Sequence, residues 1–83
     1  MRWRRAADEV DRAVEEDPDL EVKKYAVFAL SQLPPEQGVP LLIRHARTHP
    51  QPGVRKKAIF WLGQSGDERA LELFEEILSG GAR

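Results

Sequence analysis

The sequence predicts an all-α fold, an α-solenoid (α-α superhelix) of about two and a half helix pairs built from five helices. Three observations predict it. An internal repeat runs through the chain, breaker clusters divide it at matching places, and nowhere does a period-2 alternation persist long enough for a strand. Sliding the chain by 32 residues sets Pro18–Leu33 on Pro50–Ser65, with seven of 16 positions identical. The identities are Pro18/Pro50, Val22/Val54, Lys24/Lys56, Ala26/Ala58, Phe28/Phe60, Leu30/Leu62 and Gln32/Gln64. The same shift continues through Val39/Leu71, Leu42/Phe74 and Ala46/Leu78, and backward sets Ala7, Val10 and Val14 on Val39, Leu42 and Ala46.

The elements follow in order. A first helix, near 3–16, carries an apolar stripe of Trp3, Ala6, Ala7, Val10 and Val14. Asp17-Pro18-Asp19 ends it and starts the next, because Pro suits a first turn and Asp accepts from orphan N–H groups. The second helix, near 20–33, puts Val22, Ala26, Ala29, Leu30 and Leu33 on one side at about 100° per residue. Pro34-Pro35-Glu36-Gln37-Gly38 reads as the next turn, and a third helix follows near 36–48 with Pro40 in its first turn. After His49-Pro50-Gln51-Pro52-Gly53 comes a fourth, near 53–64, with Val54, Ala58, Trp61 and Leu62 facing the core. Gly63-Gln64-Ser65-Gly66-Asp67 turns into a fifth, near 67–79, striped by Leu71, Phe74, Ile77 and Leu78.

At 83 residues the chain holds one domain (1–83), small enough to leave much of its surface in water. Lys plus Arg number 13 and Asp plus Glu 14, a balance that does not suit a dedicated nucleic-acid binder. The absence of cysteine excludes disulfides, zinc-thiolate sites and thiol nucleophiles. No apolar run approaches a membrane span, and the basic start Met1-Arg2-Trp3-Arg4-Arg5 leads into Ala6-Ala7-Asp8-Glu9, not into the apolar stretch of a signal peptide. The expected compartment is by default the cytoplasm.

The run Asp17-Pro18-Asp19-Leu20-Glu21-Val22-Lys23-Lys24-Tyr25-Ala26-Val27-Phe28-Ala29-Leu30 resembles the D-P-x-x-x-V-R-x-x-A-x-x-A-L motif of HEAT repeats, in particular short bacterial units of the phycobilin-lyase type. It recurs as Val54-Arg55-Lys56-Lys57-Ala58-Ile59-Phe60-Trp61-Leu62. His49-Pro50-Gln51-Pro52 departs from the family's acidic residues there, which weakens any Asp–Arg ladder, and Trp61 stands where a small residue is usual. The resemblance implies a right-handed stack in which helices 2 and 4 line the concave surface and helices 1, 3 and 5 the convex one. It also implies that the chain is a fragment of a longer array or associates end to end, since such stacks bury a continuous core over three or more repeats.

On the side of helices 2 and 4 opposite the core lie Lys24, Phe28 and Ser31, matched by Lys56, Phe60 and Gly63. Phe28 and Phe60 would form an aromatic row bordered by lysines, fit for a peptide or helix of apolar and acidic side chains. The competing reading is that both rings fill gaps between neighbouring helices. Lys23 and Arg55 are expected to bridge to acidic groups or carbonyls of the adjoining repeat, and Tyr25 and Lys57 to touch neighbouring repeats from the flanks. The partner-binding set is therefore Lys24, Phe28, Ser31, Lys56 and Phe60, in a non-catalytic scaffold for protein–protein interaction.

No catalytic, metal or cofactor site is expected. His45 and His49 share an i, i+4 spacing but lack an adjacent Glu or an evident third ligand. His49 precedes Pro50, where the helix should already be ending, and a favourable interaction with the helix dipole is the simpler reading of a His near a helix C-terminus. Ser31, Ser65 and Ser79 sit in no elbow motif, and Gly63-Gln64-Ser65-Gly66 is a turn and not a phosphate loop. Glu72, Glu75 and Glu76 read as a solvated helix side. Two other classes compete: nucleic-acid backbone binding by Lys23, Lys24, Arg55, Lys56 and Lys57, and a bilin-lyase-like accessory role.

Overall fold

The computed structural model describes residues 2–80, with side chains from residue 4 onward, so the expectation for Trp3 lies outside the described side chains. Five helices follow in sequence: α1 (Arg2–Glu16), α2 (Leu20–Ser31), α3 (Pro35–Thr48), α4 (Pro52–Ser65) and α5 (Glu68–Leu78). Every boundary falls within two residues of the sequence reading. Among the described residues there is no strand, and no helix is long and apolar enough to cross a membrane.

Local chemistry starts the helices. Asp19 accepts from the Glu21 N–H at 2.9 Å to cap α2, and Asp67 accepts from the Arg69 N–H at 2.9 Å to cap α5. The Arg69 guanidinium on the same Asp67 carboxylate holds its pKa down to about 2. Pro stands in the first turn of α3 and of α4, where its missing N–H has no intrahelical partner to lose. Gly66 ends α4 at φ 69°, a left-handed conformation that a side chain would strain.

One turn differs from the sequence reading. Gly38 is not part of the break before helix 3; it lies inside the first turns of α3 and is buried. A Cβ there would stand only 2.3 Å from the Leu30 carbonyl oxygen, so Gly38 is what lets α3 close on the end of α2. The adjacent-proline pattern marked the break correctly but gave no sign of that close approach.

The helices form two layers. α1 packs mainly on α2, and α3 on α4, while α2 and α4 lie side by side in one layer with α1, α3 and α5 in the other. The core joins them: Val14, Val27, Leu30, Leu42, Val54, Ala58 and Leu62 are all at most 1 % exposed. The 32-residue register thus reappears as equivalent core positions, Leu30 and Leu62 being the plainest pair. One core assignment does not hold. Val22 is 41 % exposed, whereas its repeat partner Val54 is fully buried in the core cluster. Trp61, also placed on the core side, is half-buried: it packs against the core and meets Phe28 of α2. Tyr25, expected to touch a neighbouring repeat, is 71 % exposed; its repeat equivalent Lys57 is exposed too, and both line the groove between α2 and α4.

Candidate functional site

The α2/α4 layer carries the candidate face. Phe28 and Phe60, one repeat apart, are not in direct contact in a row of two. The Trp61 ring sits between them, 5.0 Å from Phe28 and 4.9 Å from Phe60, and Tyr25 extends the row 5.8 Å beyond Phe28. Tilted and edge-on geometries at these separations are favourable for aromatic pairs. The two readings of the phenylalanines divide between them: Phe28 is half-buried against the neighbouring helix, and Phe60 is 52 % exposed.

Lysines border this row. Lys24, Tyr25, Phe28, Lys57 and Trp61, with Glu21, line one shallow groove of about 460 Å³. Lys24, Lys56, Lys57, Phe60 and Gly53 line a second, of about 440 Å³, and Lys24 and Lys57 are common to both. Lys24 is held 3.5 Å from Glu21 one helical turn away, a solvent-exposed pair of small energetic weight. Lys56 and Lys57 are exposed. Ser31 stands apart from this face: its hydroxyl donates to the Phe28 carbonyl, and it lines a different recess with Leu33, Pro35 and Gln64 on the other side of Trp61.

Tyr25, Lys57 and Trp61 are members of the face that the repeat alignment did not single out. Trp61 had one visible signal, its size at a position that is small elsewhere in such motifs. Tyr25 and Phe28 are spaced i, i+3, so they share a helix side, but the groove that Tyr25 lines with Lys57 and Trp61 is a tertiary fact.

Lys23 and Arg55 are committed to structure. Lys23 Nζ donates to the Val14 and Glu15 carbonyls at 3.2 and 2.8 Å, and Arg55 donates to the His49 carbonyl at 2.7 Å. The acceptors are carbonyls, one of the two kinds expected, but they belong to the C-terminal end of the outer helix of the same pair, α1 or α3, and not to the adjoining repeat.

The histidines are placed otherwise than the dipole reading expects. His45 is 1 % exposed and points across to α1, where its Nε2 meets Asp11 Oδ1. Arg44 binds the other oxygen of Asp11 and lies 3.1 Å from Glu15. Asp11, Glu15 and His45 bring one ligand-type atom each within 4.8 Å of one another, but the Arg44 guanidinium already neutralises the carboxylates in that space. Burial pulls the His45 pKa below 6.5, against the opposing pull of Asp11. His49 is 4 % exposed and links three helices. A backbone N–H only donates, so the Gln51 amide 3.1 Å from Nδ1 makes Nδ1 the acceptor. The proton is then on Nε2, which donates to the Val14 carbonyl at 3.0 Å. Both rings are bound into the α1/α3 junction because acidic and carbonyl partners 34 and 35 residues earlier face them, a relation that helix periodicity does not carry.

The family model described as HEAT repeats matches residues 10–82, nearly the whole repeat array described above. The chain belongs to the HEAT repeat family. No curated protein and no solved structure matches it. HEAT repeats are commonly protein-interaction scaffolds, and the two-layer stack of this HEAT chain, with α2 and α4 on one side, is the architecture they use.

Proposed function

We propose that this HEAT chain is a non-catalytic scaffold that binds a protein partner on its α2/α4 face through Lys24, Phe28, Lys56 and Phe60, joined by Tyr25, Lys57 and Trp61. The observation that carries the reading is the continuous row Tyr25–Phe28–Trp61–Phe60, exposed at both ends and flanked by three lysines. Rigid aromatic surface supplies contact area at low entropic cost, and the lysines favour acidic side chains beside it. The partner that fits is an extended or helical segment with apolar and acidic residues. Ser31 takes no part, its hydroxyl being turned to its own helix.

The hydroxyl chemistry supports a scaffold over an enzyme. Ser31, Ser65 and Ser79 each donate to the carbonyl three residues earlier, and both imidazoles are engaged inside the α1/α3 junction. Backbone binding to nucleic acid is less favoured, because Lys23 and Arg55 are spent on helix ends and only Lys24, Lys56 and Lys57 of the five cations remain on the face.

Selection of phage-displayed random peptides on the chain tests this. Peptides that combine acidic and apolar residues should be enriched, and their affinity should fall with salt. The Tyr25→Ser/Phe60→Ser variant, altered only at exposed rings, should lose them while its circular dichroism is unchanged. Enrichment that survives in the folded double variant would place binding elsewhere. A salt-steep affinity for duplex DNA would favour the nucleic-acid reading.

A further inference from the structure

Charge is not spread evenly between the two layers. The chain has four lysines, all on α2 and α4. α4 carries no acidic residue, and α2 carries only Glu21. Lys23 is spent on the end of α1. The other three, Lys24, Lys56 and Lys57, converge with Phe60 and Gly53 on one groove of about 440 Å³ between the two helices. Gly53 makes room for Lys24 there, since a Cβ at that position would stand 3.1 Å from Lys24 Cε. Lys24 has only the exposed Glu21, at 3.5 Å. Among the described residues no carboxylate lies within 4.0 Å of Lys56 or Lys57. Three ammonium groups gathered in one place repel one another and draw an anion.

We infer that this groove is a subsite for a phosphotyrosine side chain of the partner segment, an inference that rests on the partner reading of the α2/α4 face. Charge decides the group. A carboxylate leaves two of the three ammonium groups unmatched, whereas a phosphate monoester brings a charge of about −1.5 to −2 and three strong acceptor oxygens. The wall of the groove decides what carries it. Phe60, 52 % exposed, stands beside the lysines and offers its ring to a second ring on the same side chain. Phosphoserine would reach the lysines and leave that ring bare. The neighbouring groove shares Lys24 and Lys57 and adds Tyr25, Phe28 and Trp61, so it takes an apolar residue of the same segment. Glu21 lines that neighbour and not the lysine groove, which directs the doubly charged group to the latter. Phosphorylation of the partner then strengthens its hold on the face.

The probe is N-acetyl-O-phosphotyrosine amide, titrated into the isotope-labelled 83-residue chain and followed by backbone amide shifts in NMR spectra. Saturable shifts are expected at Gly53, Lys56, Lys57 and Phe60, with an affinity that falls as salt rises. Affinity should drop about fivefold or more for the unphosphorylated tyrosine amide, for the phosphoserine amide and for dimethyl phosphate, which carries a single charge. Lys56→Gln/Lys57→Gln, altered at exposed positions, should weaken the probe by about fivefold or more. Arg5→Gln/Arg12→Gln removes as much charge from exposed positions on α1 and should leave its affinity unchanged. No saturable shift at these amides, equal affinity for the phosphoserine amide, or full affinity in the lysine variant overturns the proposal. Dimethyl phosphate binding as tightly as the probe also overturns it, in favour of a nucleic-acid backbone. The partner reading fails separately, when the peptides selected on the face survive Tyr25→Ser/Phe60→Ser. Their loss in that variant, with no shift caused by the probe, sinks the phosphotyrosine subsite alone.

Discussion

His45 and His49 show how single residues hold the stack together. Burial keeps the His45 pKa below its ordinary 6.5, so the unfolded chain takes up a proton there before the folded chain does. Stability therefore falls as pH drops from about 6.5 towards the lowered folded value, and above 6.5 this group adds no pH dependence. Urea denaturation at pH 7.5, 6 and 5 should show that slope, and His45→Gln should flatten it while lowering stability at pH 7.5, because Asp11 loses a buried partner. Asp67 acts at the other end of the scale: its depressed pKa means that its support for α5 is present above 3.8 and lost as pH falls towards 2. His49→Ala removes two hydrogen bonds that join the ends of α1 and α3 to the start of α4, and should cost about 2 kcal/mol in the same assay.

At the scale of elements, two glycines within helices separate local propensity from packing. Gly38→Ala would improve the helix propensity of α3, yet its Cβ meets the Leu30 carbonyl, so the variant should lose about 1–3 kcal/mol. Gly63→Ala in α4 has room for the methyl and should gain about 0.5 kcal/mol. Thermal melts of the pair would show opposite signs for the same substitution. The contrast between α2 and α4 is of the same kind. Their sequences match closely, but Val22 is 41 % exposed while its repeat equivalent Val54 is fully buried.

For the whole molecule, the described residues span 35 × 27 × 19 Å and leave a thin core that depends on a few side chains. Leu30 and Leu62, both fully buried, occupy equivalent places in successive units. Leu62→Ala should cost about 2–5 kcal/mol, a large part of the stability expected for a domain this small, and guanidinium titration should show a matching drop in midpoint. Leu78→Ala, at an 86 % exposed position, should change stability by less than about 0.5 kcal/mol. That contrast is informative because the register alone would rank Leu78 with the buried Ala46.

By itself the sequence determined the class, the number of helices, their limits and the register that makes Val54, Ala58 and Leu62 core. Apolar periodicity, prolines and capping aspartates act over a few residues, and a 32-residue repeat multiplies the same local signal. Of the candidate face, Lys24, Phe28, Lys56 and Phe60 were legible because they repeat. Trp61 as the ring between the phenylalanines, Tyr25 as the exposed end of the row and Ser31 as a separate recess were decided only by tertiary structure. So were the burial of His45 and His49 and the need for Gly38. Each of these depends on which helix lies beside which. Such contacts join residues of different helices, 34 and 35 positions apart for the two histidines, and no pattern confined to one helix encodes them.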